Sequence, residues 1–255
     1  MKQKFLDKTV IVSGGATGVG AASVVRFAEE GAQVAIFDRN VTAGEKLAEQ
    51  LSTLGHQVAF FHVDVSDPHM VSRGMQACID TFGKINVLFN HAGTILIKPF
   101  LEIETEEWDE LFAINVKSMF LVTKAALPHM IAGGGGAIVC TSSISATAAT
   151  PTEVAYNATK GACHMFARAI AMEFRDRNIR CNAVCPGFID TPHGQKEIAA
   201  LQAYGVGASE EELTARQGRA ATPDEVADAV LFLASDDARF INGTYLYVDN
   251  GFTAG

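Results

Sequence analysis

Tyr156 and Lys160 stand four residues apart in "AYNATKGA", at the start of a helical pattern that continues "CHMFARAIAMEF". Residues at that spacing share a helix face, so the phenol and the ammonium project together. A phenol with an ordinary pKa of about 10 is a poor base near neutrality, and lowering it by about 3 units requires roughly 4 kcal/mol of preference for phenolate. One cation about 4 Å away supplies on the order of 4 kcal/mol at an effective dielectric near 20. A tyrosine placed in this way can work as a general acid or base.

Such a pair needs a scaffold and a reaction partner. Strand-like and helix-like segments alternate along the chain, which predicts an α/β fold: a doubly wound parallel sheet of about seven strands with helices on both faces. The strand candidates are 9–14, 33–38, 57–64, 85–90, 137–143, 179–186 and 244–249. Their near-continuous apolarity is what strands covered on both faces require. After the first strand comes "SGGATGVG" (13–20), with glycines at 14, 18 and 20, and then a helical pattern stopped by Gly31. A strand, a glycine turn that admits a pyrophosphate to the backbone, and a helix N-terminus facing the anion are the parts of a dinucleotide site. Asp38 closes the second strand about 20 residues past that turn, where a carboxylate accepts hydrogen bonds from ribose hydroxyls and repels a 2′-phosphate. The sequence thus predicts NAD over NADP, with Arg39 as the neighbouring guanidinium able to accommodate that phosphate. An oxidised nicotinamide ring beside Tyr156 would add its positive charge to that of Lys160.

The bulk properties agree with one globular domain over 1–255. Of the residues, 48% are hydrophobic and 19% charged, enough to bury a substantial core. A net charge of −9 argues against nucleic acid, whose phosphates need a basic face. The apolar stretches read as too interrupted to span a bilayer. No apolar core precedes "TVIVSGG", so no signal peptide is expected. The five cysteines have no CxxC spacing, which predicts a reducing, cytoplasmic setting without disulfides or zinc. The seven histidines are scattered, and no metal site is expected. The least regular stretch, about 188–218, reads as a lid over the substrate.

Together these motifs resemble the short-chain dehydrogenase/reductase family over practically the whole chain. The family's glycine turn corresponds to Ser13-Gly14 through Gly18-Val19-Gly20, with Ser for the first Thr, and its D-V element to Asp64-Val65. Its N-N-A-G corresponds to Asn90-His91-Ala92-Gly93, its asparagine to Asn115, and its P-G segment to Pro186-Gly187. Its serine, thirteen positions before the tyrosine, is Ser143; the adjacent Ser142 competes for that role, although alternation sends the two to opposite faces.

The resemblance implies a hydride transfer between a nicotinamide and a small or medium secondary alcohol or ketone. Tyr156 would exchange the proton, Ser143 hold the substrate oxygen, Lys160 bond the nicotinamide ribose, and Asn115 hold a water linking Lys160 to solvent. The implied cofactor contacts are Gly14, Thr17, Gly18, Val19, Gly20, Asp38, Arg39, Asp64, Val65, Asn90, Ala92, Gly93, Tyr156, Lys160, Pro186, Gly187, Ile189 and Thr191. Ser145, Glu153 and His193 fall where substrate-facing positions are expected. His91 reads as structural, as do Cys140 and Cys163, which read as small buried hydrophobes. A homotetramer or dimer through the long helices is implied. The rival readings are an NADPH-linked 3-oxoacyl-carrier-protein reductase and a cofactor-binding protein without turnover.

Overall fold

The computed structural model describes residues 3–206 and 209–254. Seven strands lie in it: β1 (Thr9–Ser13), β2 (Gln33–Asp38), β3 (Val58–His62), β4 (Val87–Asn90), β5 (Gly136–Thr141), β6 (Ile179–Pro186) and β7 (Tyr245–Val248). They form a single sheet in the order β3-β2-β1-β4-β5-β6-β7, and every neighbouring pair is parallel. Each strand candidate of the sequence is present.

Alternation along the strands builds two cores, because successive side chains leave opposite faces of a sheet. Val10, Val12, Val34, Ile36 and Phe89 pack on one face with Val24 and Phe27 of α1 (Gly18–Glu29), Leu51 of α2 (Val41–Thr53) and Val230 of α9 (Pro223–Ala234). Ile11, Phe37, Leu88 and Ile138 pack on the other with Met75 of α3 (Pro68–Phe82), Val122 and Met130 of α5 (Ser118–Ala132), and Ala167 of α6 (Val154–Phe174). Each fully buried large apolar side chain contributes roughly 1.5–3 kcal/mol, so neither face of the sheet can be left open.

The chain runs outward from β1 to β3, then returns to place β4 on the other side of β1. The connections leaving β1 and β4 therefore diverge, and a crevice opens at the carboxyl ends of these strands.

Two sequence expectations need correction. The stretch 188–218 is not irregular: it contains α7 (Pro192–Ala203) and α8 (Glu210–Gln217), with 207 and 208 outside the described residues. Its start signals were present in the sequence, since Thr191 caps α7 by accepting from the Gly194 N–H at 3.0 Å, with Pro192 following. Ser209 and Glu212 form a capping box for α8, the reciprocal pairing that satisfies orphan N–H groups at a helix start. Secondly, the run Thr105–Ala132 is long and apolar enough to cross a membrane by length and composition alone. It comprises α4 (Thr105–Phe112), a π-helical turn (Ala113–Lys117) and α5. In this fold its apolar residues Leu111, Met119, Val122, Ala126 and Met130 are buried in the cores, which accounts for their hydropathy.

Candidate active site

The glycine turn between β1 and α1 is shaped by contacts only glycine permits. Gly14 has φ +70°, and a Cβ there would sit 2.8 Å from Ala92 Cα on the loop after β4. A Cβ on Gly20 would lie 2.0 Å from the Gly14 carbonyl oxygen. Thr17 is the N-cap of α1, but its side chain makes no capping bond, so the N–H groups of the first turn have no helical acceptor and face the crevice mouth. Across that mouth, a Cβ on Gly18 would meet Thr191 Cγ2 at 3.5 Å.

Asp38 ends β2 beside this turn. Its Oδ2 accepts from the Ala16 N–H at 3.0 Å and its Oδ1 from the Asn40 N–H at 2.8 Å. These bonds orient the carboxylate while leaving lone pairs for further donors; Arg39 beside it is exposed. Asp64 accepts from both the backbone N–H and the hydroxyl of Ser66, and Val65 is buried. The Asn90 amide nitrogen is committed to the protein, donating to Thr123 Oγ1 at 2.7 Å and to the Met119 carbonyl. His91 packs into the end of the sheet. Its Nδ1 lies 3.0 Å from Thr141 Oγ1 and its ring stacks on Phe89, while burial, with Lys160 and His193 nearby, pushes its pKa down to about 3.

Tyr156 and Lys160 come together on α6, both buried. Lys160 Nζ lies 5.5 Å from the centre of the Tyr156 ring and donates to the Thr141 carbonyl at the end of β5 at 3.2 Å. Ser143 follows two residues later, its hydroxyl accepting from the Ser145 N–H at 3.0 Å and close enough to the phenol to favour its ionised form. Ser142 points the other way, to His164 Nδ1 and the Lys160 carbonyl, and its role is to fasten β5 to α6.

Burial raises the Tyr156 pKa, Glu197 and Glu153 push it further up, and the Ser143 hydrogen bond only partly opposes them. Burial lowers that of Lys160. The protein's own groups thus raise the Tyr156 pKa above the ordinary phenol value, the opposite direction to the one expected from the spacing of Lys160.

Asn115 lies in the π-turn, where a wider turn redirects its side chain. Its Oδ1 accepts from the Thr94 N–H at 2.7 Å, and its Nδ2 donates to the Thr94 carbonyl and Thr159 Oγ1. The Asn115 backbone carbonyl accepts from Cys163 Sγ at 3.3 Å, and both it and Oδ1 keep a second lone pair. A Cβ on Gly93 would lie 3.3 Å from Asn115 Oδ1 and 3.7 Å from Lys160 Nζ; glycine there keeps the space before the lysine open.

The walls beyond the tyrosine differ in character. Leu111 and Ala155, with Ile95, Leu96, Ile103 and Trp108 packed against them, form an apolar surface at Tyr156. Ser145 and Glu153 are both buried, with Ser145 Oγ 3.5 Å from Glu153 Oε2. His193 lies on α7, and desolvation of its ring, followed by the charges of Lys160 and Lys196, lowers its pKa. Glu197, one turn along α7, was missed by the sequence reading, although the Thr-Pro helix start would have placed 193 and 197 on one face. Burial and Glu153 push Glu197 up to about 8, and burial pushes Glu153 up to about 7.

A family description, "Enoyl-(Acyl carrier protein) reductase", matches residues 14–253. The cyclopentanol dehydrogenase of Comamonas testosteroni is 38% identical over 97% of this chain and 98% of its own length. The chain belongs to the short-chain dehydrogenase/reductase family. Levodione reductase, also similar, superposes with a TM-score of 0.93 at 30% identity over 98% of this chain and 99% of that one. A 7α-hydroxysteroid dehydrogenase complexed with NADH and 7-oxo glycochenodeoxycholic acid gives 0.90 at 27% identity, over 98% and 96%. As a member of this family, the protein is a nicotinamide-dependent oxidoreductase acting on secondary alcohols. The cradle at Gly14 and Gly20, which a Cβ would fill, and the uncapped start of α1 fit such a cofactor.

A carboxyl whose pKa is raised by folding destabilises the fold as it ionises, so its cost grows as pH rises from the ordinary 4.5 to about 8. Glu197→Gln should leave the melting temperature nearly unchanged at pH 5 and raise it above wild type at pH 9. An equal difference at both pH values would contradict the assignment.

Proposed function

We propose that this enzyme is an NAD-dependent alcohol dehydrogenase, working reversibly as a ketone reductase, on small or medium secondary alcohols with a compact apolar body. The observation that carries the reading is the buried set Ser143, Tyr156 and Lys160 beside an apolar wall. The likeness to a cyclopentanol dehydrogenase supports an alicyclic substrate.

Gly14, Thr17, Gly18, Val19 and Gly20 would hold the pyrophosphate. Asp38 would hold the adenosine ribose with Arg39 beside it, and Asp64 and Val65 the adenine. Asn90 through its backbone, Ala92, Gly93 and Lys160 would hold the nicotinamide ribose, and Pro186, Gly187, Ile189 and Thr191 the nicotinamide. When bound, the nicotinamide supplies the hydride acceptor or donor. Tyr156 Oη takes the alcohol proton, Ser143 Oγ holds the same oxygen, and Asn115 keeps the loop at Thr94 fixed to α6. Ser145, Glu153 and His193 face the substrate body.

Asp38 favours NAD, because a second anion at the ribose would meet a carboxylate already oriented there. The same charge disfavours the NADPH-linked 3-oxoacyl-carrier-protein reductase reading, which needs room for a 2′-phosphate. Exposed Phe120, Met165 and Met172 on α5 and α6 support pairing of copies through these helices into a dimer or homotetramer. The free, buried cysteines suit a reducing, cytoplasmic setting.

Turnover of a panel of cyclic secondary alcohols with NAD tests the reading. Tyr156→Phe should cut the rate at least about a hundredfold while NADH still binds; intact turnover would remove Tyr156 from the chemistry. Asp38→Ala should narrow the preference for NADH over NADPH by about tenfold, or about 1.4 kcal/mol, and an unchanged ratio would mean that another group decides.

A further inference from the structure

Gln217 ends α8 at the far root of the lid segment, and it is buried. Its Oε1 accepts from the Phe188 N–H at 2.9 Å and its Nε2 donates to the Phe188 carbonyl at 2.8 Å. Nε2 also donates to the Arg219 carbonyl at 3.0 Å. A primary amide carries the donor and acceptor of a peptide unit, so this side chain pairs with Phe188 as a neighbouring strand would. It extends the short pairing in which Ile189 bridges Ala221, the Asp190 N–H donates to the Ala221 carbonyl and the Ala221 N–H donates to the Phe188 carbonyl.

Gly187 is adapted to this clamp, because a Cβ there would lie 2.2 Å from Gln217 Oε1. The clamp is braced in turn: the Gln217 carbonyl accepts from Asn250 Nδ2 at 2.8 Å, and Arg216 stacks over Phe252. The two roots of the lid therefore lie side by side, tied before α7 begins at Pro192.

We propose that Gln217 is a positioning residue for the cofactor: its amide fixes the backbone of 187–191 at the height where Ile189 and Thr191 receive the nicotinamide. This rests on the proposed nicotinamide contacts of Ile189 and Thr191. Gln217 touches neither reactant and acts through Phe188. Nothing in its surroundings ties it to the adenosine half, which the glycine turn, Asp38 and Asp64 serve.

The test compares NADH with ADP-ribose, which lacks the nicotinamide, by calorimetric titration of wild type and Gln217→Met. Gln217 lines an open cavity of about 410 Å³, so water can reach the freed groups and the loss is set near the net value of a hydrogen bond, about tenfold in affinity. NADH should weaken by about that factor in Gln217→Met while ADP-ribose keeps its wild-type affinity. Equal weakening of both, or of neither, would overturn the positioning role. If wild type binds NADH no more tightly than ADP-ribose, the contacts of Ile189 and Thr191 fall first. Hydrogen exchange on wild type gives a reading without a variant: the amides of Phe188, Asp190 and Ala221 should be protected in the free enzyme and unchanged by NADH. Rapid exchange there without NADH would show that the clamp is not preformed.

Discussion

A phenol and an ammonium share a buried face of α6, and burial works against the charged form of each. That constraint shapes everything around them. Lys160 donates to the Thr141 carbonyl at 3.2 Å, and Tyr156 has the Ser143 hydroxyl as a neighbour. Both partners come from the end of β5, so one strand terminus sets the geometry of both reactive groups. Ser142, between them in sequence, joins that terminus to α6 through Lys160 and His164.

The same economy operates on the other side of the crevice. The loop after β4 approaches the glycine turn so closely that Gly14 has no room for a side chain, and Gly93 leaves clear the space in front of Lys160. Asn115, redirected by the π-turn, ties that loop to α6 through Thr94 and Thr159. Cofactor cradle and proton-transfer groups are thereby held in one continuous network, with packing on two faces of the sheet beneath it. The segment that carries α7 and α8 joins this network at its roots, where Phe188 and Ala221 lie side by side.

The architecture was legible in the sequence because the strands are buried on both faces and read as nearly continuous apolar runs. Gly14, Asp38, Ser143, Tyr156 and Lys160 were legible because they lie at strand ends or on one helical face, at spacings set by local geometry. The separation of Ser142 from Ser143 followed from alternation alone. Gln217 and Thr94 were not legible in this way, because their significance arises from long-range approach of segments whose directions no local pattern specifies; for Glu197 the helix start gives the shared face with His193 but not its approach to Tyr156. The Tyr156 pKa belongs to the same class: the spacing reveals Lys160, but it does not reveal the two glutamates or the degree of burial that oppose it.

The protein's own groups raise the Tyr156 pKa, and the positive charge that a bound oxidised nicotinamide would bring, added to that of Lys160, would lower it. The direct measurement is a pH titration of ¹³C-labelled tyrosine by NMR, with the Tyr156 signal assigned through Tyr156→Phe. In the free enzyme the signal should not titrate below about pH 10, the ordinary phenol value, and with saturating NAD its midpoint should fall by at least about 1 unit. A midpoint near neutrality without NAD, or one that NAD leaves unmoved, would contradict the account.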